Sequence, residues 1–90
     1  MDALSRVSPR TVQLVSSGGW LRHFKASGPL PDLGALVRVT GLNSYGTRTV
    51  TGTFAGLTHH HFFLKVRPTP TTQVEFDPCA DPQVQMEVLN

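Results

Sequence analysis

The run TRTVTGTFAGL at positions 47–57 constrains the fold more than any other part of the chain. Thr47, Thr49, Thr51 and Thr53 alternate with Val50, Gly52 and Phe54, the period-two pattern of a strand with one polar and one apolar face. Gly52 and Gly56 interrupt it at positions where a strand bends sharply or bulges. A strand with two built-in kinks suits a sheet that curls, because closing a sheet on itself needs such corners.

The flanking segments supply more strands. In ALVRVTGL, Val37, Val39 and Gly41 alternate with Leu36, Arg38 and Thr40, and Asn43, Ser44 and Gly46 then form a turn cluster. After a turn at Thr58-His59-His60, the segment HFFLKVR puts Phe62, Leu64 and Val66 on one face and His61, Phe63, Lys65 and Arg67 on the other. PTPTT, with two prolines, is expected to be a loop. QVEFD and QVQMEVL are two further alternating strands, joined by the turn DPCADP. Five strands are thus expected after position 34.

Residues 1–34 read as an N-terminal extension to a barrel domain at 35–90. TVQLV, the turn Ser16-Ser17-Gly18-Gly19 and WLRHFKA suggest a hairpin. Ser8-Pro9 also permits a short helix over 9–16, which the β-branched Thr11, Val12 and Val15 oppose. SGPLPDLG at 27–34 reads as a linker. Five short strands with a thin apolar face cannot hide two open edges, and closure removes them. The expected architecture is therefore all-β, a small five-stranded barrel of SH3-like or Sm-like type, with an OB-like barrel as the second choice.

The stretch GALVRVTGLNSYGTRTVTGTFAGLTHHHFFLKV resembles the first motif of the Sm-like family, including its bacterial members. Val37 and Val39 match the family's first strand, Gly46 the turn, Gly52-Thr53-Phe54 the bent strand, and Phe62-Phe63-Leu64-Lys65 the third strand. The likeness covers about a third of the chain. The family's turn Asp is Thr58 here, and QVEFDP stands where its second motif would be. The resemblance implies a barrel that forms rings through strand-edge pairing. It also implies that the turn after the bent strand contacts ligand, where a histidine can stack on a base.

Charge is unevenly placed. All eight basic side chains lie within 1–67, and against Asp2 and Asp32 they leave a formal +6 there, while residues 68–90 carry −4. Such asymmetry points to an anionic partner for the basic part, or to an acidic tail that folds back on it. Arg38, Arg48, Lys65 and Arg67, with Tyr45, His59 and His60, make up the candidate nucleic-acid-binding set. Cations neutralise phosphates and rings stack on bases, which is what a surface for RNA or single-stranded DNA requires. Phe63, apolar on an otherwise polar face, is expected to pack under the N-terminal segment against Trp20 or to meet a partner.

Catalysis has little to stand on. No GxSxG elbow or phosphate-binding glycine loop is present, and the one cysteine, Cys79, lies among acids that discourage its thiolate. His59-His60-His61 invite a metal, but neighbouring residues on a strand face opposite ways, so no metal or other cofactor is expected. No apolar run is long enough to span a membrane, and MDALSRVSPR, without a long apolar stretch, is not expected to act as a secretory signal. The sequence-based expectation is a non-enzymatic, cytoplasmic binding module that self-associates and contacts RNA or single-stranded DNA. The alternative is a protein-interaction or assembly module that uses exposed strand edges, with the final strand QVQMEVL as one candidate edge.

Overall fold

The computed structural model describes residues 10–17, 23–58 and 62–89. Among them there is no helix. Seven strands form one antiparallel sheet: β1 (Arg10–Ser16), β2 (Phe24–Ala26), β3 (Leu36–Asn43), β4 (Gly46–Leu57), β5 (Leu64–Thr69), β6 (Thr72–Phe76) and β7 (Gln83–Val88). Their order across the sheet is β2-β1-β7-β3-β4-β5-β6.

The expectation of five strands is corrected to seven. The five after position 34 are present, and β1 and β2 add two more as an antiparallel hairpin, with Leu14 opposite Ala26 and Ser16 opposite Phe24. β1 also pairs with β7 over six positions, from Arg10 opposite Val88 to Val15 opposite Gln83. The helix considered over 9–16 is replaced over 10–16 by strand, as the β-branched residues demand. Of the expected turn, Ser16 ends β1 with its N–H donating to the Pro82 carbonyl, Ser17 N–H donates to the His23 carbonyl, both at 2.9 Å, and Gly18 and Gly19 lie outside the described residues.

The long strand β4 makes the sheet curl. Its first part pairs with β3, from Asn43 opposite Gly46 to Leu36 opposite Thr53. Its last part pairs with β5, and the register shifts between Phe54 and Leu57. Gly56 sits within that bulge at φ +94°, a left-handed conformation that a side chain opposes. Gly52 faces the β5 backbone so closely that an added Cβ would lie 2.2 Å from the Arg67 carbonyl oxygen.

The connection from β6 to β7 shows the result. In a flat sheet those strands would stand about 19 Å apart, four strand spacings. Residues 77–82 cross instead as a tight turn, in which the N–H groups of Ala80 and Asp81 both donate to the Asp77 carbonyl, at 2.9 and 2.7 Å. Only a curled sheet brings the two strand ends that near. The shape is a half-barrel.

Alternation fills the concave side. Val12, Leu14, Phe24, Val37, Val39, Phe54, Leu64, Val66, Phe76, Val84, Met86 and Val88 form the buried core, to which every strand contributes. Each large aliphatic or aromatic side chain so buried stabilises the fold by about 1.5–3 kcal/mol. Two sequence expectations need correction. Phe62 precedes β5 and is 41% exposed, so it does not share the buried face of Leu64 and Val66. PTPTT is not wholly loop: β5 continues through Pro68 to Thr69. Pro68 is tolerated because it lies beyond the last β4 pair, at Arg67, and within the register shift between Val66 and Thr69.

Candidate functional site

The sequence-derived cations do not converge. Parity along each strand separates them. Arg38 lies on the outer face of β3, opposite Glu87 of β7, and donates to its carboxylate at 3.1 Å. Both side chains are solvent-exposed, 48% and 34%, so the pair contributes little. A double-mutant cycle with Arg38→Ala and Glu87→Ala should give a coupling of at most about 0.5 kcal/mol in urea unfolding. A larger coupling would mean that this pair is part of the architecture.

Arg48 has the opposite parity. It faces the same side as Gly41, its partner in the register, and so turns toward the core. Its guanidinium lies 4.2 Å from the Phe76 ring centroid. It donates to Asp81 Oδ2 at 3.0 Å and to the Glu75 carbonyl at 3.1 Å. Asp81 is the one buried charged residue among those described. It also accepts from Asn43 Nδ2 at 3.0 Å, while Asn43 Oδ1 accepts from the Tyr45 N–H at 2.8 Å and so fixes the β3–β4 turn. Gly41 leaves room for this arrangement, since a Cβ there would lie 2.9 Å from both Asp81 Oδ1 and Phe76 Cδ2. Arg48, Asp81 and Asn43 thus fasten the β6–β7 turn to the β3–β4 hairpin, across the end of the half-barrel.

Tyr45, at the tip of that hairpin, is 98% exposed. Beside it an open groove of about 250 Å³ is lined by Leu42, Asn43, Ser44, Pro82 and Gln83. The Asn43 amide there is already committed to Asp81.

Lys65 and Arg67 are placed together. Both belong to the outer face of β5, Lys65 in register with Glu75 and Arg67 with Thr53. Among the described residues neither side chain makes an ion pair. The turn preceding β5 is closed at its base by Thr58 N–H to the Phe63 carbonyl, 2.8 Å, and Phe63 N–H to Thr58 Oγ1, 2.9 Å. Phe63 is half-buried. His59, His60 and His61, and Trp20 as the suggested neighbour of Phe63, lie outside the described residues.

No family model, curated protein or solved structure matches the chain. Function therefore rests on what the side chains can do.

Asp81, Asn43 and the role of Arg48 escaped the sequence reading. The signal was available: an arginine sharing the parity of Val50, Gly52 and Phe54 must face inward, and an inward cation needs a buried carboxylate. Among the described residues no group of three or more His, Cys, Asp or Glu is arranged to hold a metal ion. Cys79 is exposed, its N–H donating to Asp77 Oδ1 at 2.8 Å. No helix of the described residues is long and apolar enough to cross a membrane.

Proposed function

We propose that this protein is a non-enzymatic binding module that takes single-stranded nucleic acid, RNA or DNA, on the outer face of β5 beside the turn at 58–63. The observation that carries this reading is that the half-buried Lys65 and the exposed Arg67 share the outer face of β5 without an intramolecular ion pair among the described residues. Arg38 is matched by Glu87 and Arg48 by Asp81, so the contact set narrows to Lys65 and Arg67, joined in this reading by His59 and His60, which precede β5 in the sequence and lie outside the described residues. Two cations on one strand face, with stackable rings close by in the sequence, suit phosphates and unpaired bases.

The half-barrel itself supports a surface-binding role over strand addition. β7 has neighbours on both sides, β1 and β3, so the final strand offers no edge. β2 is three residues long and carries the exposed Lys25, and both features discourage pairing. A finer assignment to an Sm-like or SH3-like barrel would fit the strongly bent β4 and the tight β6–β7 turn.

Binding to labelled oligonucleotides at several salt concentrations tests the proposal. Lys65→Ala/Arg67→Ala should weaken binding roughly tenfold at low salt. It should also flatten the slope of log K against log salt by about 1.4, two phosphates' worth for a single strand. Arg48→Lys and Arg38→Ala should leave that slope unchanged. Absence of salt-sensitive binding by the natural chain would overturn the reading. So would a slope indifferent to Lys65 and Arg67.

A further inference from the structure

The sheet ends at β6, and a side chain rather than a strand occupies part of that edge. Among the described residues Thr72–Phe76 pairs only with β5. The strand contains neither proline nor lysine, the usual deterrents to strand addition. Arg48 reaches it instead, donating to the Glu75 carbonyl at 3.1 Å while Asp81 anchors it at 3.0 Å. The Phe76 ring supports the guanidinium from below, at 4.2 Å.

The geometry points to Arg48 as an edge guard, holding the Glu75 carbonyl so that β6 does not pair with β6 of a second copy of this chain. The sequence of the strand says why a second copy is the occupant to be kept away. Two antiparallel β6 strands related by a two-fold axis through Val74 set Gln73 of each opposite Glu75 of the other, and Thr72 opposite Phe76. No like charges meet, and two amide–carboxylate pairs form. The same two groups already bond within one chain, Gln73 Nε2 to Glu75 Oε2 at 3.1 Å. In that register the Glu75 carbonyl accepts from the Gln73 N–H of the other copy. Two Glu75 carbonyls are therefore needed, and Arg48 withholds both. The inference stands apart from the nucleic-acid reading, since Arg48 is not in the proposed contact set.

Sedimentation equilibrium over a wide concentration range tests it. Arg48→Lys keeps a cation beside Asp81, but its ammonium ends one bond short of the Arg48 Nη2 that donates to both Asp81 and the Glu75 carbonyl. Its dimer dissociation constant should fall at least about tenfold below that of the natural chain. Adding Gln73→Lys, which faces Glu75 of the other copy, should tighten the dimer further. Adding Gln73→Glu should loosen it. Arg48→Lys and Arg48→Lys/Gln73→Lys that stay monomeric with an unchanged far-UV spectrum would overturn the inference, as would self-association that both Gln73 substitutions shift alike. If Arg48→Lys does not fold, Arg48→Met/Asp81→Asn, which removes the guard and the buried charge together, takes its place as the background for the two Gln73 substitutions. Opposite shifts then support the pairing, and equal or absent shifts overturn it.

Discussion

Gly52→Ala should destabilise the protein by about 3 kcal/mol or more, measured by urea unfolding. An alanine Cβ there would lie 2.2 Å from the Arg67 carbonyl oxygen, 2.5 Å from its carbon and 2.7 Å from Pro68 Cα. All three are backbone atoms, so no side-chain rotation relieves the clash. β4 and β5 must separate where Thr53 faces Arg67 and Phe54 faces Val66. Phe54 and Val66 belong to the core, so the separation loosens apolar packing as well as ladder bonds. A chain of this size has only about 5–15 kcal/mol in total, so a loss of that order removes a large part of it. Gly28→Ala serves as the control: nothing lies within 4 Å of its added Cβ. That change should fall within about 0.5 kcal/mol of the natural chain. If Gly52→Ala behaves like Gly28→Ala, the close approach of β4 to β5 is not what bends the sheet.

Gly52 was legible in the sequence because a glycine inside an alternating strand marks a bend, a bulge or a close backbone approach, and Gly56 was legible for the same reason. Val37, Val39, Leu64, Val66, Val84 and Met86 were legible because their strands obey a strict period of two, and all six are buried. Phe62 was misplaced because parity was carried past the start of β5, where the backbone is no longer extended strand. Pro68 was excluded from its strand by a rule for central strands, yet it sits where one neighbour is missing and the register slips. The count of five strands fell short because nothing local in TVQLV says that it will lie against β7. That pairing joins residues 68 to 78 positions apart. The candidate site was legible only as a set of cations. Alternation put Arg38, Lys65 and Arg67 on outer faces but was not carried to Arg48, and partners such as Glu87 and Asp81 come from the far end of the chain and depend on the curl.

Arg48→Ala should cost about 3 kcal/mol, and Asp81→Asn clearly less, about 1 kcal/mol. The two halves of this ion pair sit in different surroundings: the Asp81 side chain is 3% exposed and that of Arg48 is 44% exposed. Without the guanidinium, a buried carboxylate keeps only the Asn43 amide, and the cost of taking its charge out of water is no longer offset. The Phe76 ring also loses the cation above it. Without the carboxylate charge, Arg48 still reaches water, the Glu75 carbonyl and the asparagine oxygen, so little is left unsatisfied. The double variant Arg48→Ala/Asp81→Asn should therefore be more stable than the sum of the single losses implies, by about 1–2 kcal/mol. Urea unfolding of the four proteins closes the cycle. An Arg48→Ala loss no greater than that of the surface Arg38→Ala would show that the pair does not hold the β6–β7 turn. Strict additivity would show that Asp81 and Arg48 act separately. The expected asymmetry follows from burial: the partner that cannot reach water sets the cost of losing the one that can.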